Sequence, residues 1–283
     1  MNASIRMIFA LTCFCCMLMV LTMACSAPTT TPATPTQKSE PTVAATSPAP
    51  PQPPAVQTPQ TTTDAASKSA QPIPVPGTSA IFLAGRSDLA IPKPGDDPGE
   101  FPITHCGGSL VVTFPIAYPI PVSRKLTFNA TGGIDFYGNE KPAVEPDGDP
   151  GATADIEGLG GISGYKGQCG ALVGVFLDDA NPGGLAAPET LDFTEGGMGR
   201  SFRELKPLLR QVFYIGNGMT QDDTGAPAPR TFTAPEGATR LFLGIADAPV
   251  FQGAPGCYDD NIGEYRIAPP VAPTSAEPAH TVP

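Results

Sequence analysis

Between residues 77 and 268, glycine, proline and aspartate recur too often for a long helix to form. Each fixes or frees the backbone in a way that favours a turn. About eight short apolar runs survive between these interruptions. They fall at 79–84, 108–114, 124–130, 134–137, 171–177, 213–215, 230–233 and 241–245. The third alternates clearly, and in the last Leu241, Leu243 and Ile245 point one way under period-2 alternation. The run at 171–177 reads as a buried strand. Only 202–212 has helical spacing, with Phe202, Leu205, Leu208 and Leu209 on one side. Pro207 interrupts it and limits it to one or two turns. Such a set predicts an all-β domain, a β-sandwich or jelly roll. Phe176, Phe213, Phe232 and Phe242 occupy alternating strand positions and are expected in its core.

The flanks have a different composition. Residues 26–76 hold 13 prolines among Thr, Ser, Ala and Gln, with almost no aliphatic side chains to bury. This predicts an extended stalk; the plainer reading is an idle linker. Residues 1–25 carry Arg6, an apolar run over 7–20 and then Thr22-Met23-Ala24-Cys25. That order is a secretion signal. Ala24-Cys25 resembles the end of a bacterial lipobox, which makes Cys25 a lipidation site and a membrane anchor. Thr22 stands where an aliphatic residue is usual, and cleavage near Ala24 or Ala27 by an ordinary signal peptidase is the alternative. An uncleaved anchor is a third reading, although the run is short for a bilayer span. All three export the chain to the cell envelope or beyond. Residues 269–283 form a Pro-rich tail.

Residues 77–268 contain 13 Lys and Arg against 24 Asp and Glu, so this region carries the whole net charge of −11. Phosphate backbones need the opposite sign, which excludes nucleic acid as a partner. Acidic surfaces suit solubility and divalent cations. Cys13, Cys15 and Cys16 lie in the signal, leaving Cys106, Cys169 and Cys257 in the domain. Three cysteines allow one disulfide, expected between Cys106 and Cys169. No C-x-x-C is present to suggest zinc.

Catalytic constellations are sparse. His105 and Cys106 are neighbours whose side chains diverge on a strand, and His280 lies in the tail. Ser163 sits in Gly-Ile-Ser-Gly-Tyr, which is not a nucleophile elbow. Glu145, Asp147, Asp149, Asp155 and Glu157 crowd one loop, and a glycosidase needs two carboxylates. The chain has no Trp to stack a sugar ring. An EF-hand fails in the same loop, where Ala152 and Gly158 occupy the positions required for Gly and Glu. Gly158, Gly160, Gly161 and Gly164 do not form a dinucleotide fingerprint.

Residues 237–265 are more informative. After the strand ending at Ile245, a loop gathers Asp247, Asp259, Asp260 and Asn261 around Pro255-Gly256, and a second strand follows near Glu264-Tyr265. Hard oxygen donors on a Gly/Pro-shaped loop suit calcium. The plainer reading is a solvated acidic hairpin loop.

Four segments in chain order resemble the calcium-dependent galactophilic lectins of the PA-I type. The first is Ala130-Thr-Gly-Gly-Ile-Asp-Phe-Tyr137-Gly138. The second is Pro146-Asp-Gly-Asp149, followed by Cys169-Gly-Ala-Leu-Val. The third is Phe232-Thr-Ala-Pro-Glu-Gly-Ala, followed by Leu241-Phe-Leu-Gly-Ile-Ala-Asp247. The fourth is Pro255-Gly-Cys-Tyr-Asp-Asp-Asn261-Ile-Gly-Glu-Tyr265. The resemblance implies a galactose-binding-domain-like sandwich over 77–268. It also implies a calcium ion held by Asp247, Asp260, Asn261 and the carbonyls of Tyr137 and Cys257. Two vicinal sugar hydroxyls would complete the coordination, with Tyr258 either flanking the sugar or closing the turn. Three features depart from the family. Asp260 replaces an Asn, and about six extra residues within 248–254 separate Asp247 from Pro255. No counterpart of the family's sugar-contacting His and Gln lies between Pro150 and Glu157. The expectation is a non-catalytic, calcium-dependent carbohydrate-binding domain of undefined sugar preference on an exported lipoprotein. The alternatives are a structural envelope module with at most a structural calcium, and an accessory glycoside hydrolase.

Overall fold

The longest central pairing joins Leu172–Leu177 and Arg240–Ile245, which run antiparallel from Arg240 opposite Leu177 to Ile245 opposite Leu172. The computed structural model describes residues 71–93, 96, 99–138, 143–221 and 224–269. The signal with Cys25, most of the stalk and the tail from 270 lie outside the described residues. Within them the strands are β1 (Ile73–Pro76), β2 (Ile116–Tyr118), β3 (Lys125–Leu126), β4 (Ala130–Asp135) and β5 (Thr153–Ile156). There follow β6 (Tyr165–Gln168), β7 (Leu172–Leu177), β8 (Glu204–Leu205), β9 (Val212–Tyr214) and β10 (Met219–Gln221). The last are β11 (Pro227–Pro229), β12 (Thr231–Thr233), β13 (Arg240–Ile245), β14 (Gln252–Gly253) and β15 (Ile262–Ile267). Three short 3-10 turns are the only helical elements among the described residues. The domain is all-β.

Five sheets result, in the orders β2-β13-β7-β9, β1-β15-β4, β3-β12-β8, β14-β5-β6 and β10-β11. Most pairs are antiparallel; β12 with β8 and β14 with β5 are parallel. The core forms where apolar alternation meets continuous burial. Leu241, Leu243 and Ile245 point inward from β13, and every residue of β7 is buried. Burying each such side chain contributes about 1.5–3 kcal/mol. Phe176, Phe213 and Phe232 are fully buried as expected, with successive ring centroids 5.1 and 5.2 Å apart. Phe242 is only half-buried, because it faces outward beneath the Arg240 guanidinium.

Several local expectations are corrected. The run at 79–84 is not a strand. Ile81–Leu83 make a buried 3-10 turn, preceded by single bridges at Ser79 and Ala80. The segment 202–212 is not a helix either: β8 and the start of β9 occupy it. Leu208 is 57% exposed and Arg210 adopts φ +65°, so neither the face nor the backbone suits a helix. The run at 108–114 contributes a single bridge at Thr113, while β2 begins later, at Ile116. Between the runs at 134–137 and 171–177, where the sequence offers no apolar run, the chain forms β5 and β6. At the other end, β1 lies within the expected stalk. It pairs with β15 and buries Val75 completely.

Candidate functional site

Three strand ends meet at one edge of the domain. β13 delivers Asp247 two residues beyond Ile245. β15 starts immediately after Asn261, and its first residue, Ile262, pairs with Asp135 at the end of β4. Tyr137 follows two residues later. The register that aligns β4 with β15 therefore brings Asp135 and Tyr137 beside the 255–261 loop, more than a hundred residues away in sequence.

The insertion at 248–254 does not separate the two halves of this loop. The Gly256 N–H donates to the Asp247 carbonyl at 3.0 Å. Within the insertion, β14 pairs with β5, and Phe251 packs edge-on against Phe136 and Tyr137 at 5.6 and 5.5 Å. The extra residues form a flap anchored on neighbouring structure, and the loop closes beneath it.

Tyr258 closes the turn from inside. Its side chain is fully buried, its hydroxyl donates to the Ile245 carbonyl at 3.0 Å, and it accepts the Asp247 N–H at 3.1 Å. No sugar can stack on it, so the expectation that it flanks a ligand is corrected. Asp259 is also structural. Its carboxylate accepts the N–H groups of Cys106 and Gly108 and lies 3.2 Å from His105 Nδ1. Gly108 has to be glycine, since a Cβ there would collide with the Asp259 carbonyl. The disulfide joins Cys106 to Cys257, not to Cys169, which is buried in the core. The Asp259 clamp explains the pairing, because it brings the 105–108 segment directly against the loop. The bridge thus fixes Cys257, whose carbonyl is an expected metal ligand.

The remaining polar atoms define the site. Asp247 Oδ1 accepts the Ala248 N–H at 2.8 Å, Asp135 Oδ1 accepts the Tyr137 N–H at 2.8 Å, and Asn261 Nδ2 donates to the Gly77 carbonyl at 3.0 Å. Each residue is oriented by one atom and leaves the other unused. Asp135 Oδ2, Asp247 Oδ2, Asp260 Oδ1 and Asn261 Oδ1 are buried without a hydrogen-bond partner. They are the only side-chain oxygens among the described residues in that condition. A buried polar atom left unpaired costs about 1–3 kcal/mol, so four such acceptors are a costly arrangement for the domain on its own. No Lys, Arg or His forms an ion pair with Asp135, Asp247 or Asp260 among the described residues.

Electrostatics agree with that deficit. Burial pushes the Asp247 carboxyl well above the ordinary carboxylate value. The Ala248 N–H and Asn261 amide oppose the rise, and the charges of Asp260 and Asp259 reinforce it. Asp260 is raised by burial first, then by Asp259, and also by Asp135. A bound cation would reverse these shifts. The unpaired atoms are all oxygens, three from carboxylates and one from an amide. That chemistry fits calcium and not zinc. No group of three or more His, Cys, Asp and Glu stands ready to hold a metal among the described residues.

The site has an open side. Gly138 is exposed and Tyr137 and Asp260 are half-buried, whereas Asp247 and Asn261 are 3% and 1% exposed. Tyr137 donates its hydroxyl to Asp149 Oδ2 at 3.0 Å, and its phenol is pushed up to about 12, by burial first and then by that bond. Asp135 is the residue that the sequence reading passed over. It stands two positions before Tyr137 in a segment already singled out, but only the strand register shows that it faces the loop. The other carboxylates are dispersed. Asp147 accepts from Tyr214 and Asn217, Asp155 lies 3.4 Å from Lys166, and Glu145 and Glu157 are exposed. Comparison with protein-family models, curated proteins and solved structures finds no match for the chain.

Proposed function

We propose that this domain binds a carbohydrate through a calcium ion held at the β13–β15 edge, without catalysis. The four buried oxygen atoms without hydrogen-bond partners carry the reading. Asp135, Asp247, Asp260 and Asn261 would hold the cation, with the carbonyls of Tyr137 and Cys257. Calcium accepts six to eight oxygens, which leaves positions for ligand hydroxyls on the side of Gly138. The resemblance of four segments to PA-I type lectins supports the same reading, together with a β-sandwich arrangement of the sheets. The N-terminal sequence supports export and anchoring through Cys25.

A second reading is favoured by the depth of Asp247 and Asn261, both almost fully buried. An ion at that depth can be purely structural, and the domain would then be an envelope module with no sugar ligand. Calorimetric titration of calcium into the chelator-treated protein, followed by a monosaccharide panel with and without metal, separates the two. Metal heat followed by metal-dependent sugar heat is the expected result. Metal heat with no sugar response selects the structural module. The absence of metal heat removes both.

A further inference from the structure

A second concave region lies beside β9, β10 and β11. This cleft, about 1030 Å³, is bordered by Asp147, Glu195, Arg200, Asn217 and Arg230, among others. Arg230 is only 4% exposed. Its guanidinium lies between the rings of Phe202 and Tyr214, at 5.3 and 5.0 Å from their centroids. Nη1 donates to the Ile215 carbonyl at 3.2 Å and Nη2 to the Arg200 carbonyl at 2.9 Å, while Nε has no partner. The two rings attract the guanidinium, but burial still desolvates its charge, a cost that an anion in the cleft would offset.

The cleft brings a second cation to the same place. Arg200 is half-buried, close enough to act on both Arg230 and the Tyr214 phenol, and makes no ion pair with a carboxylate among the described residues. Asp147 is already engaged by the Tyr214 hydroxyl at 2.6 Å and the Asn217 N–H at 3.1 Å. Glu195 is exposed at the rim. The two arginines balance the two acids, so the cleft does not attract a polyanion. It suits a monoanion that also carries hydroxyl groups: guanidinium takes a carboxylate in paired hydrogen bonds, and the acids and Asn217 accept or donate to hydroxyls. The volume accommodates a ligand of one or two sugar rings.

We propose that this cleft binds a uronic acid, with Arg200 as the direct partner of the sugar carboxylate and Arg230 as the buried charge behind it. The cleft shares no lining residue with the cation edge and requires no metal. The test titrates glucuronate and galacturonate, with glucose and galactose as neutral controls, into the full chain with and without EDTA. The expected result is saturable uronate binding that survives EDTA and exceeds that of the neutral sugars. Arg200→Ala should weaken it by at least about tenfold, the scale of one charged hydrogen bond. Arg200→Lys should restore part of the loss, and both variants should melt like the parent. Equal binding of neutral sugars overturns the proposal, as does uronate binding that EDTA or Asp260→Ala with Asn261→Ala abolishes. Failure to bind either uronate overturns it too. The EDTA arm keeps this result distinct from the fate of the calcium reading.

Discussion

The loops at 145–157 and 247–261 each carry a cluster of acids in sequence, five in the first and three in the second, but the structure treats their carboxylates in opposite ways. In the first, Asp147 has a phenol and an N–H, Asp149 has the Tyr137 hydroxyl and the Gly151 N–H, and Asp155 has Lys166 nearby. In the second, Asp247 and Asp260 each keep a buried oxygen with no donor, and Asn261 adds a third. Acidity alone therefore does not mark a cation site. What distinguishes the two loops is whether the fold supplies donors to the oxygens it buries. The first loop is a hydrogen-bonded scaffold, and the second keeps buried oxygens for which the domain itself supplies no donor.

The strongest way to break this contrast is to release the second loop from its tether. Replacing Cys106 and Cys257 together by Ser should cost about 2–5 kcal/mol, read from chemical denaturation. Calcium affinity should fall as well, because the Cys257 carbonyl is no longer fixed by the bridge to Cys106. Unchanged calcium affinity in a destabilised variant would separate the bridge from the site. Next in size is the response to metal itself. Calcium at a hundredfold above its dissociation constant should stabilise the parent by about 2.7 kcal/mol. Asp260→Ala with Asn261→Ala should remove that gain while leaving the circular dichroism spectrum intact. The first loop supplies the opposite control. Asp147→Ala should cost about 1–3 kcal/mol by leaving the Tyr214 hydroxyl and Asn217 N–H without their acceptor. Its response to calcium should equal that of the parent, and a lost response would show that the two loops are one site.

The parts of the molecule that were legible in sequence are those in which local pattern and burial coincide. β13 declared itself by alternation and β7 by a continuous apolar run. The run at 79–84 looked equally like a strand, yet it is a buried turn, since unbroken apolarity has no period to read. β1 was hidden by its prolines. Pro74 and Pro76 look like stalk, but β1 is an edge strand, where a missing N–H costs no ladder bond. Asp247, Asp260 and Asn261 were visible as a cluster. Asp135 was not, because its place depends on β4 pairing with β15 across the chain. Tyr258 has two readings in sequence, flanking a ligand or closing the turn, and the strands beneath it decide for the second by burying the ring. The disulfide partner of Cys106 likewise follows from the Asp259 clamp, a contact between distant segments.

Protonation provides the finest test of the contrast. Asp247 and Asp260 have folded values raised above their unfolded ones, mainly by burial. The folded, metal-free protein therefore holds protons that the unfolded chain gives up. The stability from these two groups is complete below about pH 4, near the unfolded value, and is lost as pH rises through the raised folded values. EDTA-treated protein should consequently lose melting temperature from these groups as pH rises above that range. Asp247→Asn with Asp260→Asn should flatten the fall, because neutral amides carry no charge to desolvate. Calcium should reverse the sign, since metal and protons compete for the same oxygens and deprotonation then favours the loaded, folded state. A pH profile that is the same with calcium and with EDTA would mean that no cation reaches these carboxylates. The second loop would then be strained by its buried charges without the ion that relieves them.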